Sequence, residues 1–258
     1  MVRNFTDLTG RVAVVIGGTS GIGRALATGL AEAGADVVAS GRRQNLCEEV
    51  AAQITALGRQ SLAHSVNIQD RSSIDGFRDA VLAQFGHVDI LVNAAGQTFR
   101  KPTKDVDEAA WNQVMDVNVT GILRSCQSFY EPLVKSGHGR VVNIASLSSF
   151  VALLEVAAYC ASKAAVLSLT KNLAIEWAKD GVNVNAIAPG VFPTELNASL
   201  LNGTERGREF IARTPMRRFG RTEELVGAAV LLASDSASFI TGQSIAVDGG
   251  FLAAGVTN

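Results

Sequence analysis

Tyr159 and Lys163 are the residues of this sequence best suited to proton chemistry. They stand four positions apart in the stretch 157–163, a spacing that places a phenol and an ammonium on the same face of a helix. A phenol titrates near pH ~10 and a nearby cation favours the phenolate, so the pair brings a tyrosine closer to use as a general acid or base. Ser146 lies upstream and is a candidate to hydrogen-bond the same substrate oxygen. Two such residues on one helix are more often surface packing, so the assignment depends on the other motifs of the chain.

A glycine-rich turn supplies the second motif. Residues 16–23 read Ile-Gly-Gly-Thr-Ser-Gly-Ile-Gly, directly after the β-branched run Val12–Ile16 and at the start of a stretch with helical spacing. Glycines let a backbone approach a pyrophosphate, and the N terminus of the following helix meets the charge of that group. A glycine-rich turn alone is weak evidence, but its strand, turn and helix setting is the context that a dinucleotide site needs. Together the two motifs predict proton chemistry beside a bound dinucleotide.

The elements that would position these motifs alternate along the chain. Strands are predicted at Val12–Ile16, Val37–Ala39, Ser61–Val66, Val88–Val92, Val141–Ile144, Val182–Ile187 and Ser244–Val247. Besides the helix after the glycine turn, helices are predicted near Leu46–Leu57, Ser72–Phe85, Glu108–Phe129, Ala157–Lys179 and Glu223–Leu232. Several strands are too apolar to have a face in water, which indicates a parallel sheet covered on both sides. We therefore expect a single Rossmann-like α/β domain over residues 1–258, with a doubly wound parallel sheet of about seven strands and helices on both faces.

The segment from about 190 to 218 breaks this alternation. It carries Pro193, Pro215, Gly203 and Gly207 among several charged residues. A long insertion in a compact domain is usually a lid or a binding loop, and a plain surface excursion is the alternative. We expect a substrate loop or lid over 190–218.

Composition argues against several other classes of function. The formal net charge is −1, without the clusters of Lys and Arg that nucleic-acid or membrane-surface binding needs. No apolar run reaches the ~18 residues of a spanning helix, and the first ten residues lack a signal-peptide core. The three cysteines and three histidines lie far apart, which disfavours a disulfide framework and a metal site. We expect a soluble, cytoplasmic protein without a metal that acts on a small molecule.

Further landmarks give the chain a specific resemblance. The glycine turn is followed by Asn93-Ala94-Ala95-Gly96 after the fourth predicted strand, by Asn118 in a helix, by Ser146, Tyr159 and Lys163, and by Pro189-Gly190 after the sixth strand. In this order the motifs resemble those of the short-chain dehydrogenase/reductase family over essentially the whole chain. The resemblance implies an NAD(P)-dependent oxidoreductase that transfers a hydride between a nicotinamide cofactor and a secondary alcohol or ketone.

The resemblance also implies a role for each matching residue. The implied catalytic set is Asn118, Ser146, Tyr159 and Lys163. In the family the tyrosine transfers the proton, the lysine lowers its pKa and holds the nicotinamide ribose, the serine positions the substrate oxygen, and the asparagine anchors a water that links the lysine to solvent. The residues expected to bind the cofactor are Gly17, Thr19, Ser20, Gly21, Ile22, Gly23, Arg42, Arg43, Asn67, Ile68, Asn93, Ala94, Gly96, Tyr159, Lys163, Pro189, Gly190, Val191 and Thr194.

Three residues depart from the family pattern. Ile16 stands where threonine is usual, Ala94 replaces the second asparagine of an Asn-Asn-Ala-Gly motif, and Asn67 replaces a common adenine-binding aspartate. None of these changes removes a catalytic group. Asn67 can still accept a hydrogen bond from an adenine amino group through its side-chain oxygen.

The choice of cofactor depends on the end of the second strand. An NAD enzyme usually has an acidic residue there, which accepts hydrogen bonds from the ribose hydroxyls, but this chain has Gly41. Arg42 and Arg43 follow, and a guanidinium suits a 2′-phosphate in geometry and charge. A solvated pair of loop arginines is the alternative. The sequence favours NADP(H) and leaves NAD(H) possible.

The substrate is indicated by one residue. Arg100 lies in the loop 96–102 that leaves the fourth predicted strand, where ligands enter open α/β sheets, and it could pair with a carboxylate. Family members that oxidise gluconate-type sugar acids carry a similar arginine in this loop, which predicts a sugar-acid substrate held by Ser146, Tyr159 and Arg100. A solvated arginine is the alternative, and 3-oxoacyl-carrier-protein reductases share nearly all the other landmarks.

Two further expectations concern activity and assembly. A cofactor-binding protein without catalysis usually lacks the tyrosine or the lysine, so the intact set favours an enzyme; an isomerase that uses the cofactor transiently stays open. In the family, the counterparts of the predicted helices Glu108–Phe129 and Ala157–Lys179 pair across a twofold axis into tetramers. A homotetramer is therefore expected.

Overall fold

The protein is built around one parallel β-sheet. A computed structural model of the protein describes residues 5–195 and 197–255. The described strands are β1 (Val12–Ile16), β2 (Asp36–Ser40), β3 (Ile90–Asn93), β4 (Arg140–Ile144), β5 (Asn183–Pro189) and β6 (Ser244–Val247), in the spatial order β2-β1-β3-β4-β5-β6. The described helices are α1 (Gly21–Glu32), α2 (Gln44–Ala56), α3 (Arg71–Phe85), α4 (Glu108–Met115), α5 (Gly121–Ser136), α6 (Ala157–Trp177), α7 (Ala198–Leu201), α8 (Glu205–Arg213) and α9 (Val226–Ala233).

The apolar strands explain why the sheet lies in the middle of the protein. Every residue of β1, β3 and β4 is buried, and one hydrophobic core lies on each face of the sheet. Helices α3, α5 and α6 contribute to one core, and α1, α2 and α9 contribute to the other. Strands buried on both faces need helices on both sides. The predicted Rossmann-like α/β architecture is confirmed.

The predicted number of strands was too high by one. Residues 61–66 run beside β2 but do not form a strand. The backbone bonds to β2 occur at the ends of this segment, where Val37 N donates to Gln60 O and Val66 N donates to Gly41 O. Between them, the Ser40 hydroxyl donates to the backbone carbonyl of His64, and the Ser61 hydroxyl donates to that of Val37. Because serine hydroxyls bond these carbonyls, the regular backbone hydrogen bonding between this segment and β2 is interrupted. The described sheet therefore has six strands.

The helix predicted over 108–129 is interrupted by a wider turn. Helix α4 ends at Met115, residues Asp116–Thr120 form one π-helical turn, and α5 continues to Ser136. Asn118 lies in this turn and is fully buried. Single π turns inside helices are frequent at functional sites. The interruption therefore coincides with a candidate catalytic residue.

The predicted lid contains two short helices that the sequence pattern did not reveal. Both α7 and α8 fall within 190–218, and residue 196 of this segment lies outside the described residues. Helix α8 begins at a cap in which Thr204 Oγ1 accepts from Gly207 N at 3.0 Å. Arg206 then donates to the carbonyl of Leu154 at 3.1 Å, and Phe210 packs against Phe251 with ring centroids 6.3 Å apart. The segment thus spans from residues just before α6 to the chain after β6.

Candidate active site

Tyr159 and Lys163 lie one turn apart on α6, as their spacing predicts. The ammonium Nζ of Lys163 lies 5.6 Å from the centroid of the Tyr159 ring. The lysine is 4% exposed, and its Nζ donates to the carbonyl of Ile144 at 2.7 Å. Burial lowers the pKa of Lys163 to about 8. A buried ammonium is thus held at the end of β4, beside the tyrosine.

The structure qualifies the expected effect of Lys163 on Tyr159. Burial raises the pKa of Tyr159, and hydrogen bonding with Ser146 opposes this increase. The ammonium lies over the ring and, among the described residues, donates no hydrogen bond to the phenol, so burial has the larger effect on the pKa of Tyr159. The phenol is therefore protonated at neutral pH. That state suits the donation of a proton to a carbonyl oxygen.

Ser146 and Asn118 are held by bonds that fix their orientation. Ser146 follows β4, and its Oγ accepts from Ser148 N at 3.1 Å, which caps the short turn after it. Asn118 makes two bonds with the backbone of Gln97, at 2.8 and 3.0 Å, and donates to Ser162 Oγ at 2.9 Å. Ser162 in turn donates to the carbonyl of Tyr159 at 2.7 Å. Asn118 therefore joins the loop after β3 to the helix that carries the tyrosine and the lysine.

The sequence did not point to Gln97 or Ser162 as parts of this site. Each contributes one link to the Asn118 network, and both contacts join positions far apart in the chain. No local spacing distinguishes such residues from ordinary polar ones. Gly96, which was predicted, lies in the same place: a methyl group built on it would be 3.5 Å from Asn118 Oδ1 and 3.6 Å from Lys163 Nζ.

The backbone of the glycine turn is packed too closely for side chains, and the helix after it begins with free amides. Gly17 has a φ of 84°, and a methyl group built on it would lie 2.4 Å from the amide nitrogen of Ala95. A methyl group at Gly23 would lie 2.0 Å from the carbonyl oxygen of Gly17. At the start of α1, Ser20 makes no side-chain cap, and the first turn has no acidic residue. The free amides and the helix dipole are thus available to an anion.

The residues after β5 lie over this turn. Pro189 ends β5, and Gly190 packs so closely on Asp248 that a methyl group would lie 2.6 Å from its Cα atom. Thr194 meets the glycine turn directly, because a methyl group built on Gly21 would lie 3.2 Å from Thr194 Cγ2. The structure therefore brings the beginning of the predicted lid, including Val191, to the predicted dinucleotide site.

Arg42 and Arg43 project from the end of β2. Both are exposed, and within the described part of the chain neither side chain makes a hydrogen bond or an ion pair. Gly41 is adjacent to the glycine turn, since a methyl group built on it would lie 2.7 Å from Thr19 Oγ1. An acidic residue at position 41 would thus require the side chain of Thr19 to move. The charged side chains at the end of β2 are therefore the two guanidinium groups of Arg42 and Arg43.

Comparison with known proteins decides the family. A family model described as Enoyl-(Acyl carrier protein) reductase matches residues 16–252. The 2-dehydro-3-deoxy-D-gluconate 5-dehydrogenase of Dickeya dadantii is 40% identical over 256 residues, covering 98% of this chain and 100% of the relative. The chain belongs to the short-chain dehydrogenase/reductase family. As a member of this family, it is an oxidoreductase.

Two further relatives differ in what their names describe. The NAD-dependent glycerol dehydrogenase of Listeria innocua is 38% identical over 245 residues, covering 95% of each chain. The gluconate 5-dehydrogenase of Burkholderia cenocepacia, solved in complex with NADP and tartrate, has a TM-score of 0.94 and 36% identity, covering 98% of this chain and 99% of that one. The relatives therefore include dehydrogenases named for a sugar acid and for a neutral polyol.

The structure assigns the departures from the family pattern to positions away from the catalytic atoms. Ile16 is 1% exposed and belongs to the core at the end of β1. Ala94 keeps the backbone bond of this motif, with its N donating to Ile16 O at 2.8 Å. Asn67 is exposed, and its Oδ1 accepts from Gln69 N at 3.2 Å, so an adenine amino group would share or replace that bond.

Two predicted cofactor residues are buried in the protein interior. Asn93 is fully buried and its Nδ2 donates to Asn143 Oδ1 at 2.9 Å, which links β3 to β4. Its Oδ1 has no hydrogen-bond partner among the described residues. Ile68 is 6% exposed and packs on Gly121, where α5 begins. The side chains of both residues therefore pack inside the protein.

Arg100 pairs with an acidic residue that the sequence did not single out. Its Nε lies 2.5 Å from Oε2 of Glu155, and Lys101 N donates to the carbonyl of Glu155 at 2.8 Å. Glu155 stands four residues before Tyr159 and has a φ of 64°. The predicted substrate-binding residue Arg100 therefore lies in the loop that borders the catalytic residues, and it already forms an ion pair with Glu155.

Neither a membrane span nor a metal cluster is found in the described parts of the chain. No helix there is both long enough and apolar enough to cross a bilayer. The same residues contain no group of three or more His, Cys, Asp or Glu side chains placed to hold a metal ion.

Proposed function

We propose that this protein is an NADP(H)-dependent dehydrogenase that interconverts a secondary hydroxyl and a ketone on a sugar acid of the gluconate or ketogluconate type. The observation that carries the proposal is that three features follow the carboxyl ends of the strands: the glycine turn after β1, Arg100 in the loop after β3, and the pair of Tyr159 and Lys163, whose ammonium bonds the end of β4. The names of the relatives from Dickeya and Burkholderia support a sugar acid over the substrate of a 3-oxoacyl-carrier-protein reductase. NAD(H) stays possible, in keeping with the name of the Listeria relative.

The cofactor would be held by the residues that surround the glycine turn. The glycines and the amides at the start of α1 would receive the pyrophosphate, Arg42 and Arg43 the 2′-phosphate, and Thr194 with Val191 the nicotinamide end. When bound, the nicotinamide supplies or accepts the hydride. The tight packing of Gly17 and Gly23, which leaves no space for a side chain, supports this fit.

The proton chemistry would belong to the protein. In the direction of reduction, Ser146 holds the substrate oxygen while the Tyr159 hydroxyl donates its proton to that oxygen. The positive charge of Lys163 then stabilises the phenolate that is left. In the direction of oxidation the same groups act in reverse, with the phenolate as the base. Asn118 keeps the loop after β3 and helix α6 in register, so that substrate and tyrosine meet.

The experiment that tests this function is a screen of reduced-cofactor consumption. Purified protein is given NADPH or NADH with ketogluconates, β-ketoacyl thioesters and cyclic ketones, and kcat/KM is compared. We expect the ketogluconates with NADPH to give the highest value. A preference for a β-ketoacyl thioester would contradict the sugar-acid assignment, and activity without net consumption of cofactor would indicate an isomerase.

Assembly and location are part of the proposal. We propose a homotetramer in the cytoplasm, in which α5 and α6 pack against their counterparts in other subunits. Symmetric homo-oligomers are the common case for soluble enzymes, which supports this assembly. Light scattering that gave a monomer mass at micromolar concentration would contradict the tetramer.

A further inference from the structure

The arginine proposed to bind a substrate carboxylate already holds a carboxylate of its own chain. The ion pair between Arg100 and Glu155 joins the two segments that border the catalytic residues. One of them starts at Gly96, beside the Lys163 ammonium, and the other leads into α6 four residues before Tyr159. A substrate anion that reaches Arg100 must therefore compete with the Glu155 carboxylate for the guanidinium.

The backbone holds Glu155 in this position independently of the ion pair. Its φ of 64° is a left-handed conformation that side chains other than glycine rarely adopt, and observed outliers of this kind cluster at ligand sites. The carbonyl of Glu155 accepts from Lys101 N at 2.8 Å, and the carbonyl before it, of Leu154, accepts from Arg206 of α8 at 3.1 Å. The loop is thus fastened on two sides through its backbone. The side-chain ion pair can open while the loop stays in place.

We propose that Glu155 is a specificity-determining residue that competes with anionic substrates for Arg100. The carboxylate of a sugar acid displaces the Glu155 carboxylate from the guanidinium, and the Glu155 side chain then rotates into solvent. A neutral polyol leaves the ion pair closed and makes no use of Arg100. Glu155 thereby weakens the binding of every carboxylate at this position, so that only acids with enough additional contacts from their hydroxyls bind well. This inference rests on the proposed role of Arg100 in the sugar-acid function.

The exposure of the pair sets the size of the effect. The side chains of Arg100 and Glu155 are 44% and 27% exposed, so water screens their attraction. Ion pairs of this exposure are weak, and removal of the competing charge should change the affinity for an anion by about two- to fivefold.

The test is Glu155→Gln, which removes the charge and keeps the size of the side chain. We expect the KM for the sugar acid and the inhibition constant of tartrate to fall by about two- to fivefold, with kcat within about twofold and the KM for a neutral polyol unchanged. Glu155→Gly removes the side chain and suits the left-handed backbone, and it should strengthen tartrate binding at least as much. Glu131→Gln is the matched control, because it makes the same change in net charge on an exposed residue of α5 and should leave all these constants unchanged.

Three results would overturn the proposal. Tartrate inhibition could stay unchanged or weaken in Glu155→Gln, the gain could persist when Arg100 is also changed to Gln, or neutral substrates could gain as much as anions. The tartrate measurement separates this inference from the proposed function, because it can be made with whichever substrate the enzyme turns over. A wild-type enzyme that used only neutral polyols would refute the sugar-acid function, and tartrate would still report whether Glu155 competes for Arg100.

Discussion

The two edges of the parallel sheet differ in how their charged side chains are paired. At the amino edge, one arginine is paired with two carboxylates of the protein: Arg11 lies 3.5 Å from Asp89 and 3.8 Å from Asp235. At the carboxyl edge, the buried ammonium of Lys163 bonds a carbonyl and no described carboxylate, and Arg42 projects into solvent. Both edges belong to the same six strands. The difference indicates that the amino edge is built for stability and that, apart from the pair of Arg100 with Glu155, the carboxyl edge leaves these charges for ligands.

Asp89 is the centre of the amino edge. It is 2% exposed, and its carboxylate accepts from Val12 N at 2.8 Å and from Arg11 at 3.5 Å, while His87 Nε2 lies 3.2 Å away. Its backbone carbonyl also accepts from Arg140 N at 2.8 Å. Asp89 therefore joins the start of β3 to β1 through its side chain and to β4 through its backbone carbonyl. Such a buried group stabilises the fold because its removal leaves other polar groups without partners.

Loss of the Tyr159 hydroxyl should give the largest effect. Tyr159→Phe removes the proposed proton donor, so we expect turnover to fall by about 10²- to 10⁴-fold, with cofactor affinity and the free energy of unfolding nearly unchanged. Tyr130→Phe is the matched control, because Tyr130 is the other of the two tyrosines and its hydroxyl bonds Asp180 on the surface. Steady-state kinetics and cofactor titration measure the two quantities. Retention of more than about a tenth of the turnover would remove Tyr159 from the proton-transfer step.

The amino edge should respond in the opposite way. Asp89→Ala leaves Val12 N without its partner and removes one of the two carboxylates that pair with Arg11, so we expect the free energy of unfolding to fall by about 2–4 kcal/mol. The kcat/KM of the folded enzyme should stay within about twofold of wild type, since no ligand group is touched. Asp79→Ala is the control, because its carboxylate is 66% exposed and pairs only at the surface of α3. The comparison of edges fails if Asp89→Ala lowers kcat/KM and leaves denaturant unfolding unchanged.

The sequence predicted what depends on local spacing. The glycine turn, the position of Tyr159 and Lys163 on one helix, and the parallel sheet follow from patterns within a few residues, and the structure has all three. The network around Asp89 and the pair of Arg100 with Glu155 join positions far apart in the chain, and no local pattern marks them.

The two errors of local structure have separate physical reasons. Residues 61–66 have a strand-like composition, but bonds from serine hydroxyls stand in place of the regular backbone hydrogen bonds with β2. The helices α7 and α8 are short and follow prolines and glycines, so their apolar periodicity is too brief to detect. Tertiary contacts, such as that of Arg206 with Leu154, hold them instead.

The charges left for ligands at the carboxyl edge predict an effect on affinity. Arg42→Ala should weaken NADP(H) binding by about 1.5–3 kcal/mol, because charge-assisted bonds to the 2′-phosphate are lost, and should leave NAD(H) binding nearly unchanged. Arg59→Ala is the control; that guanidinium bonds the carbonyl of Gly34 near the amino edge. Fluorescence titration with both cofactors measures the difference. A wild-type kcat/KM that favoured NADH would show instead that Arg42 and Arg43 are solvated loop residues.

The smallest predicted effect is a gain in stability at the catalytic centre. Lys163→Met removes a buried charge and one hydrogen bond to Ile144, and we expect it to impair turnover while raising the free energy of unfolding at pH 7 by about 1–2 kcal/mol. Lys171→Met, on the exposed side of the same helix, is the control and should change neither.

The pH dependence of that gain identifies its cause. Burial lowers the pKa of Lys163 from 10.5 to about 8, so between these values the unfolded chain binds more protons than the folded one. The stability of the wild type contributed by this group therefore rises with pH across that interval, and the cost of the buried charge is present in full below pH 8. Unfolding by denaturant should accordingly show the variant's advantage at pH 7 and little of it near pH 10.5. A variant less stable than wild type at pH 7 would mean that the bond to Ile144 outweighs the cost of burying the ammonium, and that both edges of the sheet contribute to stability through their charges.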